Sequence, residues 1–264
     1  MYKKRTVDIL DKYKHNNTYI NIQKQETGVN AETSFSESLV RDNKGLWDAM
    51  ATHPWVTSLA AGTISDEAII AWAQQCRLFC LQERSALLIL RSLMPAEELA
   101  TSFDKKVDPL FAKLEDDTIR EPRGLAETIQ SLGGHIVEEP WPVCLGYGSF
   151  VTMCAYNGML EGLAAVFAVE KAYLDTWTTV LPSVLPGSKW HDWVDNWTQD
   201  VFRETVEELG QCVDDLVGSA PSEEVKVRMS KAFHGVAQFE LAFWEMSWKQ
   251  QGWPSINVAK AEEV

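Results

Sequence analysis

The chain has 264 residues, of which 45% are apolar, enough for one sizeable core and short of two full domains. Twenty-four basic residues against thirty-eight acidic ones leave a formal net charge of -14, a field that repels phosphate backbones and anionic lipid and so argues against nucleic acid or a membrane surface as partner. Five cysteines without a CxxC pair signal neither a disulfide framework nor a zinc site, and no stretch approaches the about 18 uninterrupted apolar residues of a membrane span.

Residues 1–43 read as a polar N-terminal extension rich in Asn, Lys, Thr and Ser, with a short helix expected around Thr6 to Lys14. Met1 to Ile20 lacks the continuous apolar stretch of a secretory signal, so the expected location is cytoplasmic. Residues 44–264 read as one helical domain. Leu46, Trp47 and Met50, then Trp55, Val56 and Leu59, fall at helical spacing on either side of a break at Pro54. Ser65-Asp66-Glu67 is an N-cap followed by acidic residues, opening a helix expected to run to Leu93.

Beyond Pro95, a run from Ala96 to Leu114 is expected to break or kink at Pro109, and a separate shorter helix is expected from Pro122 to Leu132, ending at Gly133-Gly134. Glu139-Pro140-Trp141-Pro142 reads as a connector. Tyr147 to Val180 is apolar on nearly every side, which predicts one central, buried helix. Trp190 to Val217 reads as a single amphipathic helix, and Val225 to Gln251 as the last one, capped within Ser219 to Glu224. Period-two alternation never persists, so strands are absent from this reading and the fold class is all-α.

The informative residues are acids inside apolar helices. Glu170 interrupts a run from Ala164 to Val169 otherwise suited to full burial, and Glu240 borders the stripe formed by Phe239, Phe243 and Met246. Each has a bland alternative, Glu170 pairing with a cation at a helix boundary and Glu240 sitting on the surface beside the stripe. Two carboxyls in one apolar cavity titrate apart, one protonated and one charged near neutrality, which suits acid/base chemistry. Tyr147, Tyr173 and Trp197 are packing residues whose amphipathic rings also suit a flat heteroaromatic ligand. Cys76 and Cys80 lie one turn apart, as two buried small hydrophobes would. His191 and Asp195 read as a solvated i, i+4 pair, and His53 as a cap or a packing residue. Walker, GxSxG and HExxH patterns do not occur.

From Leu46 to Pro254 the sequence resembles the TenA/thiaminase II family, whose fold is a heme-oxygenase-like helical bundle. Leu46-Trp47 through His53-Pro54-Trp55 is similar to the family's opening helix and Leu59 to Ile70 to its second. Trp193, Asp200, Phe202, Arg203, Glu240, Phe243, Trp244, Met246 and Gly252-Trp253 follow in the family's order. The resemblance implies Glu240 as the catalytic glutamate and Tyr173 and Tyr147 as pocket tyrosines. The nucleophilic cysteine of the better-known branch is Val169 here, and Glu170 follows it, as in the branch that carries a glutamate instead. Three positions depart from the pattern: the substrate-gripping Gln-Asp pair reads Gln75-Cys76, and two pocket tyrosines read Phe79 and Trp197.

The resemblance therefore implies a C-N hydrolase of amino- or formylamino-pyrimidines in thiamin salvage. Catalysis would rest on Glu240 and Glu170, the substrate-binding residues being Tyr173, Tyr147, Cys76, Phe79 and Trp197. No metal and no cofactor are implied, and the expected partners are a small heteroaromatic substrate and further copies of the chain in a tetramer or dimer. Two alternatives stay open: a cofactorless or diiron oxidase on the same scaffold, for which Glu83, Glu161, His191 and Asp195 are too few ligands, and a non-catalytic binding or regulatory homologue.

Overall fold

The computed structural model describes residues 33–218 and 222–254, so the helix expected around Thr6 to Lys14 lies outside the described residues. Residues 34 onward form one compact unit in which helices alone occur among the described residues. In chain order these are α1 (Phe35–Asp42), α2 (Lys44–Ala51), α3 (Pro54–Ala60), α4 (Asp66–Ser92), α5 (Ser102–Ser131), α6 (Pro142–Tyr156), α7 (Met159–Val180), α8 (His191–Asn196), α9 (Asp200–Val217) and α10 (Glu223–Lys249). The all-α reading holds.

The three longest helices, α4, α5 and α10, begin where side chains satisfy the free N–H groups of a first turn. Ser65 Oγ accepts from Ala68 N at the start of α4, and Ser222 Oγ from Val225 N at the start of α10. His53 caps α3 through Nδ1, which accepts from Trp55 N, while its Nε2 meets Glu245. At the front of the unit, Ser34 and Glu37 form a capping box for α1. That helix lies before the boundary expected at residue 43 and is bound to the bundle: Leu39 is buried, and Ser36 donates from both its backbone N and Oγ to Asp214 of α9 at 2.8 Å.

Three expected boundaries differ. The two helices placed on either side of Pro109 and Pro122 are one, α5, thirty residues long and opened by a Thr101/Asp104 capping box. Each interior proline costs about 3 kcal/mol. Against that stands an unbroken buried stripe of Val107, Leu110, Phe111, Leu114, Thr118, Leu125 and Ile129 laid along α4, each large apolar side chain contributing roughly 1.5–3 kcal/mol. The run expected as one central helix is two, α6 and α7, parted at Gly158, whose φ of 118° is open to glycine and closed to other residues. The run expected from Trp190 to Val217 is also two, because the chain turns at Trp197-Thr198-Gln199 before α9.

Helix α7 occupies the centre, packed by α10, α9, α6 and α2, while α4 lies between α5 and α6 and also touches α10. The core holds a tryptophan cluster: Trp55 sits 5.4 Å from Trp72 and 4.9 Å from Trp244, and Trp177 lies 5.7 Å from Trp244. No described helix is long and apolar enough to cross a membrane.

Candidate active site

Four helices each turn one carboxyl toward the same interior volume: Glu83 from α4, Glu121 from α5, Glu170 from α7 and Glu240 from α10. Glu240 is 2% exposed, Glu83 6% and Glu170 9%. Glu121 is part-exposed and faces a cavity of about 770 Å³ that Glu83 and Glu170 also line, together with Trp193, Trp197 and Phe202. Lys113, Arg120 and Lys189 line the same cavity, but all three bond elsewhere: Lys113 to Val201 O and Thr205, Arg120 to Asp117, and Lys189 to Asp66.

Glu240 is fixed by Tyr147, whose hydroxyl donates to Oε1 at 2.7 Å. Burial pushes the Glu240 carboxyl up to about 8, and the tyrosine's hydrogen bond only partly opposes this. Glu83 and Glu121 are likewise raised to about 8, burial being the main cause in each and neighbouring acids the next. Glu170 is held well above the usual carboxylate range by burial and then by Glu83 and Asp117. Oε1 of Glu83 is buried away from every N–H and hydroxyl donor. The Glu170 carboxyl lies beside Glu83, and Glu83 pushes it up further.

Aromatic rings join the cavity wall to Glu240. Tyr173 packs 5.3 Å from Trp197 and 5.7 Å from Trp244, and its hydroxyl stands 3.9 Å from the Cys76 thiol. On the other side, Phe79 stacks at 4.3 Å on Tyr147, which is itself parallel to Phe239 at 5.6 Å. The tyrosine hydroxyls are pushed well above their ordinary value, by burial first and then by the acid beside Tyr147 and the Cys76 thiol beside Tyr173.

Of the residues singled out from the sequence, Glu170 and Trp197 line the cavity, while Tyr173 and Cys76 on one side and Glu240, Tyr147 and Phe79 on the other are joined to it through ring and side-chain contacts. Gln75 is spent elsewhere, its Oε1 accepting from Trp141 N at the entry of α6 at 2.7 Å. The set considered for a diiron centre does not converge: Glu161 is bound by Arg228 at 2.6 and 2.8 Å, and His191 is half-exposed in α8 beside Asp192.

Residues 146–250 match the TENA/THI-4/PQQC family. That match spans 105 of the 264 residues. The match holds Tyr147, Glu170, Tyr173, Trp197 and Glu240, whereas Cys76, Glu83 and Glu121 reach the site from outside it. The aminopyrimidine aminohydrolase of Halalkalibacterium halodurans is 24% identical over 83% of this chain and 98% of its own length. The enzyme of the same name from Bacillus subtilis is 26% identical over 47% of this chain and 53% of its own. A TenA homologue from Pyrococcus furiosus superposes with a TM-score of 0.72 at 24% identity, covering 81% of this chain and all of that one, which shows that the two share a fold.

Sequence reasoning missed Glu121 and gave Glu83 a different role. The signal for Glu121 lies in the α5 stripe: between Thr118 and Leu125 the helical register requires one more inward position, and residue 121 fills it. Glu83 follows Cys76 and Cys80 at i+7 and i+3, on one face of α4.

Proposed function

We propose that this protein hydrolyses a C-N bond of an amino- or formylamino-pyrimidine, in a salvage reaction of the thiamin type, with Glu240 as the proton-transferring residue. The observation that carries this reading is the Tyr147–Glu240 pair: a carboxyl 2% exposed, fixed by a 2.7 Å hydrogen bond and raised to about 8, so that both protonation states are accessible near neutral pH. The aminopyrimidine aminohydrolases among its relatives support the choice of substrate class.

Water adds to the ring carbon that bears the amino group, or to the formyl carbon of a formylamino group, and its proton passes to Glu240. Glu240 returns a proton to the nitrogen as the C-N bond breaks, so that ammonia leaves from an amino substrate, and formate and the free amine form from a formylamino one. Glu170, at the cavity wall beside Glu83, directs the water or a polar group of the ring. Trp197 and Tyr173 hold the flat face of the ring. Cys76 and Phe79 complete the wall, and Phe79 holds Tyr147 in place. The chain is expected to act as a homo-oligomer, a tetramer or dimer, which light scattering on the purified protein measures.

The test incubates the protein with amino- and formylamino-pyrimidines and follows ammonia and formate. Release by wild type and its loss in Glu240→Gln is the expected result. Undiminished release by Glu240→Gln removes that residue's role, and no release from either substrate class by wild type removes the hydrolase reading.

A further inference from the structure

Cys76, Cys80 and Glu121 place Sγ, Sγ and one carboxylate oxygen all within 4.8 Å of one another, although α4 and α5 are separate helices. Cys76 Sγ already stands 3.9 Å from Glu121 Oε1. Donor atoms around a tetrahedral zinc-sized ion stand roughly 3–4 Å apart, so closing this trio needs side-chain shifts of about 1 Å or less. Both thiols are free and buried.

A second observation points to the same place. Glu83 shares the α4 face with both cysteines, is 6% exposed, and keeps Oε1 away from every N–H and hydroxyl donor. The charged groups acting on Glu83 and on Glu121 are acids, with no lysine or arginine among the leading influences on either. A buried polar atom without a donor is costly, and so is a group of acids crowded together. The cavity of about 770 Å³ reaches Glu83 and Glu121 and gives an ion a way in, and the net charge of -14 favours its approach.

We propose that Cys76, Cys80 and Glu121 bind a borderline-soft divalent cation of the zinc class, with Glu83, which stands outside that 4.8 Å group, brought in as the fourth donor by a side-chain rotation. Two thiolates and two carboxylates suit zinc by ligand type and number, and they disfavour magnesium and calcium, which require more oxygen donors. Binding displaces the two thiol protons, and those held by the ligating carboxyls, to solvent and leaves no change of oxidation state. A disulfide between Cys76 and Cys80 would use the thiols alone and leave Glu83 and Glu121 as they are. The proposal goes beyond the hydrolase reading and does not rest on it: Glu240 and Tyr147 are not ligands, and metal uptake is measured without substrate.

The test strips the full-length protein with chelator, adds Zn²⁺ or Co²⁺ alone, and measures stoichiometry by titration and elemental analysis. One ion per chain is expected, and with Co²⁺ a near-ultraviolet thiolate-to-metal charge-transfer band. Cys76→Ser and Cys80→Ser each abolish that band. Glu121→Gln and Glu83→Gln, nearly isosteric and checked for native melting, weaken binding about tenfold or more. Cys144→Ser changes nothing, since that thiol instead donates to Gln75 O. Substoichiometric uptake by wild type, uptake without the thiolate band, or retention of the band in the Cys76→Ser/Cys80→Ser double variant overturns the proposal.

Discussion

Helix α7 carries two buried acids with opposite treatment. At its first turn, Glu161 is gripped by both ends of the Arg228 guanidinium, at 2.6 and 2.8 Å. Further along, Glu170 faces Glu83 and feels Asp117 and Glu240, all acids, and stays well above the usual carboxylate range. The desolvation problem is the same at both places. At one, an arginine solves it with a bidentate ion pair. At the other it is left unsolved, with protons rather than cations holding the charges down, which makes carboxyls whose proton can be exchanged near neutrality. An acid that serves the fold is paired and one that can serve chemistry is not.

The largest effect that sharpens this contrast is expected at Glu240. Glu240→Gln keeps the shape and the hydrogen bond from Tyr147 while removing the titrating group, and pyrimidine hydrolysis should fall by about 10²–10⁴-fold. The same substitution should stabilise the metal-free protein in alkali. Glu240 titrates near 4.5 when unfolded and at about 8 when folded, so over that window the native state holds a proton that the unfolded state has lost. Stability therefore falls as pH rises from 4.5 to about 8, by about 1.4 kcal/mol per pH unit for this one group. The groups facing it are Tyr147 on α6, Glu83 and Cys76 on α4, and Glu170 and Tyr173 on α7, and they keep their own slopes in the variant. Denaturant melts at pH 5 and pH 8 should show Glu240→Gln gaining on wild type at the higher pH. Equal slopes in the two proteins would mean that Glu240 is not held protonated.

The next effect acts on the geometry that presses the acids together. Gly148, beside Tyr147, lets α6 cross α4 so closely that an added Cβ would stand 2.6 Å from Gln82 Cβ, next to Glu83. Gly148→Ala should destabilise by about 1–3 kcal/mol, as overpacking does, and should lower turnover because α6 carries Tyr147 away from Glu240. Chemical denaturation and steady-state kinetics measure both, and a variant with native stability would show that the two helices have room to part.

How much of this was legible in the chain depends on what each signal required. Ser65 and Ser222 announce their helices by local chemistry, and Glu170 and Glu240 stand out because each interrupts an apolar pattern within its own helix. Glu121 was hidden by its neighbour, since Pro122 reads locally as a helix start. Only the burial stripe from Val107 to Ile129, a tertiary property, outweighs that local preference. Gly158 was hidden in the opposite way, the apolar residues on both sides continuing one pattern through a break. Nor does any pattern within α4 tell which helix will bring an acid to Cys76 and Cys80, because that pairing arises only when α5 packs alongside.

The smallest effect tests the paired acid. Arg228 is partly exposed, so its substitution by leucine removes the partner of Glu161 without opening the core. Arg228→Leu should lower the melting temperature, by less than Gly148→Ala, because the carboxylate at the first turn of α7 then resembles Glu170 in having no cation. Adding Glu161→Leu to Arg228→Leu should recover most of the loss, since two apolar side chains carry no desolvation penalty. The coupling read from this double-mutant cycle should be positive, and hydrolysis should stay at the wild-type rate throughout because the pair lies away from the cavity. If the single Arg228→Leu change left stability untouched, the arginine would not be neutralising Glu161, and the contrast between the two acids of α7 would have to be explained by burial alone.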